Sequence, residues 1–398
     1  MKLIEVSSPA HIREFHRLPV RLYQNEPHWI RPLDKDIEAV FDPQANKTFR
    51  HGECIRWILQ DAQGQTIGRI AAFVDQKRAK KGNKQPTGGV GFFDCIDSQE
   101  AANRLFDAGK EWLQARGMEA MDGPINFGER DRWWGLLVEG FQLPPNYCMP
   151  YNFPYYRTLF ENYGFQLYFK QFTYGRPIMD PVVERVREKA ALIAQDPNYR
   201  FMHLRKSQIE KFTQDFRTIY NQAWAKHGGV PEMSSLQATN IMKQLKPVMD
   251  EKVMWFGYHQ DRPIAFFIMI PELNQSFQHL NGQFNLLRKL QFLWYHRFRK
   301  QNRKVLGLVF GVVPEFQGKG VDGGLVAAVR HMVQEEYRRY DYLEMNWIGD
   351  FNPKMMVVAN QVGGTIVKTH YTYRYLFDRT LPFERMPIIG GHASQQEE

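Results

Sequence analysis

The sequence predicts an α/β (α+β) protein of two fused domains with one architecture, each a mixed central sheet flanked by helices. Three observations carry this. Lys304 to Val313 is an apolar, β-branched run of the length of a buried strand; Pro314 stops it, and beyond Glu315-Phe-Gln-Gly-Lys-Gly-Val-Asp-Gly-Gly324 the residues Leu325, Ala328, Val329, Met332 and Val333 recur at helical spacing. The order helix, hairpin, strand, helix is legible twice. The ends of the two halves also correspond, because Pro154, Gly164, Thr173 and Tyr174 return 199 residues later as Pro353, Gly363, Thr372 and Tyr373.

Taken in order, the first half opens with an amphipathic helix around Ile12, Phe15, Leu18 and Leu22, then a Pro- and Trp-containing turn from Pro27 to Pro32. Ile55 to Leu59 and Thr66 to Val74 read as strands joined at Asp61 to Gln65, and the basic run Lys77 to Lys84 as a solvated loop. Gly89 to Ile96 is a further strand and Ala101 to Arg116 a helix with Leu105, Ala108, Trp112 and Leu113 on one face. In the second half Val183 to Ala194 reads as a connecting helix, Ser207 to Trp224 as a helix, and Val253 to Tyr258 with Ile264 to Ile270 as a hairpin. These readings set the domains at 1–180 and 181–380, with a flexible tail over 381–398.

Composition narrows the partners. With 398 residues, 43% of them apolar, the chain can bury two cores. Its apolar runs are too short to cross a bilayer, and its start lacks the apolar core of a secretory signal, so a cytoplasmic protein is expected. Cys54, Cys95 and Cys148 show neither disulfide nor zinc-ligand spacing and read as buried thiols; no metal is expected. The net charge of +9 favours an anionic partner such as coenzyme A, nucleic acid or an acidic membrane surface.

The glycine-rich turn between a strand and a helix start is a place for an anion, since unpaired N–H groups there add to the positive end of the helix dipole. Gln317-x-x-Gly320, after Val312-Val313-Pro314, resembles the pyrophosphate motif of the GNAT acyltransferases, in which this turn cradles acyl-coenzyme A. The resemblance implies acyl-CoA or acetyl-CoA as co-substrate, held by Val312, Val313, Gln317, Gly318, Lys319, Gly320, Val321, Gly323 and Asn352. Asp322 departs from the pattern: either it points away from the pyrophosphate or the site has changed. The first half has Asp94-Cys-Ile-Asp-Ser-Gln-Glu100 at the corresponding place, acidic and without glycine, so coenzyme A belongs to the second half.

Alternation puts Glu344 and Asn346 on one side of a strand that in GNAT folds splays from its neighbour beside the thioester. Glu344 orients an amine or relays its proton, or else makes a structural hydrogen bond. Asn352 before Pro353 is a ligand contact or a helix cap. The tyrosine that many GNAT enzymes use to protonate the thiolate is Ala359 here, leaving Tyr371 or Tyr373 as substitutes. Glu139 lies within an apolar run, where burial would raise its pKa and suit it to take a proton, unless it pairs with Arg130 or Arg132. Asn126, Tyr151, Asn152, Tyr156 and Trp347 are candidate walls of an acceptor pocket.

Phe284 to Lys300 reads as a basic amphipathic helix with Leu286, Leu287, Leu290, Leu293 and Trp294 on one face. That face either packs on the protein or lies at an anionic membrane surface.

Gly123-Pro-Ile-Asn-Phe-Gly128, Gly135-Leu-Leu-Val-Glu-Gly-Phe141, Met149-Pro-Tyr-Asn152, Glu344-x-x-Trp347, Asn352 and Lys368-Thr369 resemble a bacterial group of tandem GNAT proteins, and the chain is similar to the bacterial ceramide synthases. That resemblance implies transfer of a long acyl group from acyl-CoA to the primary amine of a sphingoid base, with peripheral contact at the inner membrane and no nucleic-acid partner. In this reading backbone N–H groups near Val312 to Pro314 hold the oxyanion. Two other readings stay open: an aminoacyl-tRNA-dependent transferase of the peptidoglycan cross-bridge type, and a non-enzymatic binding protein on a decayed fold.

Overall fold

The structure is a computed structural model that describes residues 1–181, 183–224 and 232–389. The first half runs β1 (Lys2–Glu5), α1 (Pro9–Leu22), α2 (Asp34–Phe41), β2 (Gly52–Gln60), β3 (Thr66–Asp75), α3 (Gln76–Ala79), β4 (Thr87–Cys95), α4 (Gln99–Gln114), β5 (Ala120–Gly123), β6 (Leu136–Glu139), α5 (Tyr156–Tyr163) and β7 (Gln166–Pro177). The second runs α6 (Glu184–Ile193), β8 (Tyr199–His203), α7 (Ile209–Trp224), α8 (Ser235–Leu245), β9 (Met254–His259), β10 (Arg262–Pro271), α9 (Asn274–Phe277), α10 (Leu286–Leu293), β11 (Lys304–Val312), α11 (Val321–His331), β12 (Tyr342–Gly349), α12 (Pro353–Gln361) and β13 (Thr365–Leu376).

The strands form one 13-stranded mixed sheet in the order β1-β2-β3-β4-β5-β13-β7-β12-β11-β10-β9-β8, with β6 pairing β13 off this path. The order reads the same from both ends, so the halves are related about the β13–β7 pair. Each half's last strand completes the other half: β7 pairs β12, with Glu344 opposite Gly175, and β13 pairs β5, with Tyr373 opposite Gly123. The repeat is visible residue by residue. β7 begins at Gln166 and β13 at Thr365, each 12 residues long. Before them Gly164 (φ 108°) and Gly363 (φ 82°) end α5 and α12 in the left-handed region. The same backbone bonds close both ends, Phe165 N to Phe160 O and Gly364 N to Ala359 O.

Local chemistry fixes the element starts. Ser8 caps α1 through the N–H of His11, with Pro9 at its first position, and Ser98 caps α4 through that of Ala101. α4 buries Leu105, Ala108 and Leu113 as its spacing predicts. α2 was not legible in the sequence: it is eight residues long, has no side-chain cap, and is held by burial of Ile37 and Val40. The basic run after β3 begins with one helical turn, α3, because Asp75 accepts from the N–H of Lys77. Of the tail expected over 381–398, residues 390–398 lie outside the described residues. Residues 381–389 run across both halves, Met386 N donating to Tyr168 O (3.1 Å) in the first and Ile389 N to Phe351 O (2.7 Å) in the second.

Cys95 and Cys148 are buried and Cys54 is half-buried. Burial pushes all three thiols up to about 12, and a thiol is not a nucleophile in that state. Iodoacetamide at mildly alkaline pH is therefore expected to leave the native protein unmodified and to label all three after denaturation, read by intact mass.

Candidate active site

β11 and β12 pair in parallel only from Lys304 opposite Tyr342 to Gly307 opposite Met345. Beyond this they diverge. β12 turns to follow β7, with a bulge between Met345 and Ile348 that holds Asn346 and Trp347; β11 stays with β10, with Leu308 unpaired in a bulge. Such irregularities re-aim side chains. The slot between the strands encloses about 1110 Å³, open to solvent, with walls from Leu308, Phe310, Asn346, Trp347, Asn352 and Ala359.

At the far end of β11, Gln317 Nε2 donates to Val312 O (3.0 Å), and Gly318 and Gly320 adopt φ of 75° and 88°. Gly320 is the N-cap of α11, which has no side-chain cap, so its first-turn N–H groups remain open. The corresponding helix in the first half, α4, is closed by Ser98. Lys319 and Gln317 are exposed beside the turn, whereas Val321 is buried. Gly323 is placed in packing and not in the turn: a Cβ there would meet Lys189 Cβ at 3.0 Å and Val186 O at 3.1 Å on α6. Asp322 pairs with Lys189 of α6, its carboxylate 3.4 Å from Nζ. Of the backbone N–H groups expected near Val312 to Pro314, that of Val313 donates to Ile264 O (2.9 Å) and Pro314 has none.

Glu344 is 2% exposed. Its carboxylate lies between Lys304 Nζ (3.0 Å) and Lys368 Nζ (2.9 Å), and Asn146 Nδ2 donates to it at 2.6 Å. Burial would raise its pKa, but the two lysines outweigh burial and hold it below the ordinary range. It is therefore ionised and weakly basic. Asn346 Oδ1 accepts from Asn146 Nδ2 (3.1 Å) and Thr173 Oγ1 (3.2 Å), so a loop and a strand of the first half fix this slot residue of the second. Asn146 carries no sequence signal. Lys304 does: a lysine opening an otherwise apolar strand has to find a buried partner.

The other candidates are dispersed. Glu139 is exposed, so the expected burial does not hold; it ends β6 opposite Thr369, and Arg132 pairs instead with Glu129 (3.4 Å). Tyr373 is buried in the first half and donates to Glu161 Oε1 (3.0 Å). Asn352 caps α12 through the N–H of Met355 (3.4 Å) as well as lining the slot.

Asn126 lines a cavity with Arg78, Asp122, Trp134 and Arg374. Arg130 lines both this cavity and the slot, and its carbonyl accepts from Trp347 Nε1 (3.1 Å), so the two spaces adjoin. Tyr151 and Asn152 line a different cavity beside β4, with His16 and Asp34, and Tyr156 is buried behind it, 3.3 Å from Asp94 Oδ1. The predicted acceptor residues thus fall into two groups, and only Asn126 and Trp347 neighbour the slot.

Beside Lys368 on β13, His370 is buried. Burial, reinforced by the Lys368 charge, pulls its imidazole down to about 3. The unfolded chain takes up a proton below an ordinary histidine pKa of about 6.5 and the folded chain does not, so stability is intact above that value and declines toward pH 3. Between about pH 6.5 and pH 5 the loss from this group is about 2 kcal/mol. His370→Leu is expected to flatten that limb in urea unfolding.

Among the described residues there is no cluster able to hold a metal ion and no helix long and apolar enough to cross a membrane. No family model matches the chain. It is 28% identical over 383 residues to a bacterial ceramide synthase of Caulobacter vibrioides, covering 94% of this chain and 97% of that one. Its fold is similar to that of a tandem GNAT protein from the clavulanic acid biosynthesis pathway, with a TM-score of 0.54 at 10% identity over 96% of this chain and 99% of that one. It is similar also to the glucosamine N-acetyltransferase region of a fungal multi-domain β-N-acetylglucosaminidase, with a TM-score of 0.54 at 12% identity over 94% of this chain and 38% of that one.

Proposed function

We propose that the chain is a tandem-domain acyltransferase of the GNAT superfamily, on its 28% identity to a bacterial ceramide synthase and the likeness of its fold to a tandem GNAT protein, and that it transfers an acyl group from coenzyme A to a primary amine. The observations that carry the reading are the slot between β11 and β12, lined on its β11 side by Gly307 to Phe310, and the glycine turn that follows β11 and opens an uncapped helix.

In this reading the pyrophosphate lies against the N–H groups from Gly318 to Gly320 at the positive end of α11, with Lys319 beside it. The pantetheine follows the slot, and Asn346 and Trp347 sit at the thioester. The amine arrives from the adjoining cavity past Arg130 and Asn126. The lone pair of the neutral amine attacks the thioester carbon; the C–N bond forms, the C–S bond breaks, and the proton lost from nitrogen passes through solvent to the leaving thiolate, which with a thiol pKa of about 8.5 needs no strong acid in place of the tyrosine absent at Ala359. Catalysis here is chiefly positioning. Glu344 holds the strands in place and, being locked between lysines, is not the base. The chain divides into a first unit over 1–180, which supplies acceptor walls, and a second over 181–380, which binds coenzyme A.

An amphiphilic amine such as a sphingoid base is the acceptor that the resemblance to ceramide synthases implies, used on the cytoplasmic side of the inner membrane. The test is equilibrium binding of coenzyme A, acetyl-CoA and a monomeric long-chain acyl-CoA. Tighter binding of the long-chain thioester supports a lipid N-acyltransferase; no binding of any of the three removes the proposal.

A further inference from the structure

α10 is inside out. Its spacing allows a leucine face to pack on the protein, yet Leu286 is 73% exposed, Leu287 75% and Leu290 57%. The helix continues through a π turn over Trp294–Phe298, where Trp294 (54% exposed) stacks on Phe298 (72% exposed) with ring centroids 5.5 Å apart. Phe292 and His296 are buried, Phe292 against Phe277 and Phe284, and Tyr295 stacks on His279. The packing alternative raised by the sequence is thereby corrected: it is the apolar stripe that meets solvent. A patch of this composition marks an interaction surface.

Charge says what covers it. The sequence holds no Asp or Glu from Leu273 to Pro314. Around the stripe stand Arg288, Lys289, Arg297, Arg299 and Lys300, all but Arg288 exposed. Arg303 is paired with Asp341 and Lys304 with Glu344, so they do not add to this surface. Leucine, tryptophan and phenylalanine flanked by uncompensated basic side chains match the boundary of an anionic bilayer, where the apolar groups enter the acyl region and the cations meet phosphate headgroups.

The position of the helix adds a consequence. Just before it, Gly282 O accepts from Asp34 N (2.8 Å), Asn281 accepts from Arg31 Nη1 (3.3 Å), and Lys35 sits over the Phe284 ring at 4.0 Å. Arg31, Pro32 and Asp34 are also the rim of the cavity that holds Tyr151 and Asn152. We infer that α10 with its π turn docks the protein on an anionic phospholipid bilayer and sets the mouth of that first-half cavity at the headgroup level. The inference rests on the reading above only for what the bilayer supplies, an amphiphilic acceptor.

The experiment is vesicle flotation of the full chain, with phosphatidylcholine alone and with phosphatidylcholine plus phosphatidylglycerol. The wild type is expected to float with the anionic vesicles, several-fold less with the neutral ones, and progressively less as salt rises. Leu287→Glu with Leu290→Glu is expected to lower partitioning by about tenfold or more while melting and acyl-CoA binding in solution stay unchanged. Equal flotation on both vesicles, or an unaffected double variant, overturns the docking surface. So does a wild type that is dimeric and becomes monomeric in the variant without binding vesicles, which would give the stripe to a second copy of the chain. Because acyl-CoA binding is read separately, loss of docking with intact binding leaves the acyltransferase reading standing, and the reverse result removes only that reading.

Discussion

Gly318→Asp is expected to weaken acyl-CoA binding by about 100-fold or more and to leave folding nearly intact. The expectation follows from where the glycine sits. A Cβ at Gly318 meets nothing within 4 Å, and its φ of 75° is one that aspartate tolerates at a cost of about 1–2 kcal/mol. The new carboxylate would lie beside the open N–H groups at the start of α11, and like charges brought together in a binding site cost several kcal/mol, which is two or more powers of ten in affinity. Gly320→Asp, the substitution suggested by the sequence alone, is the less clean test, because a Cβ there comes within 3.3 Å of Lys189 O on α6. Calorimetry with a long-chain acyl-CoA and a thermal melt on the same sample decide the matter. Unchanged affinity in a folded variant would sink the pyrophosphate site.

The second large effect is on stability. Glu344→Gln is expected to lower the unfolding free energy by about 3–5 kcal/mol, the usual cost of leaving buried charge without its partner. Two ammonium groups, Lys304 and Lys368, would then face each other with no carboxylate between them. The sign of the pH dependence agrees. Because the folded carboxyl is held below its ordinary value, the stabilisation it gives is complete above the unfolded pKa of about 4.5 and is lost only as pH falls through the lower folded value. A general base would behave differently: the amide would keep the urea midpoint and abolish turnover. Urea unfolding and a single-turnover assay on one preparation separate the two roles.

How much of this was legible depended on the range of the interaction. The glycine turn, the hairpins and the long helices announce themselves through short spacings, and β2, β3, β4, β9, β10 and β11 fall where alternation and turn residues place them. Asn346 and Asn352 were found because one strand's alternation and one proline sufficed. Glu139 was misread because the three apolar residues of β6 do not say which neighbour covers them, and this strand leaves the glutamate at its exposed end. Tyr373 was misassigned because β13 crosses into the first half, which no local pattern encodes. Gly323 looked like part of the anion turn, and only the approach of α6 shows it to be a packing glycine.

The exchange of final strands bears on how the molecule is made. β13 lies in the middle of the sheet, between β5 and β7, yet it is the last in sequence of the described strands. Until Thr365 to Leu376 emerge from the ribosome, β5 and β6 lack their partner and one edge of β7 stays bare, so the first half cannot finish folding before the second has been made. Such non-local pairing slows folding and leaves unpaired edges exposed while it waits. A nascent chain stalled before residue 365 is therefore not a half-sized protein but an open sheet, ready to accept the same strand from a neighbouring chain.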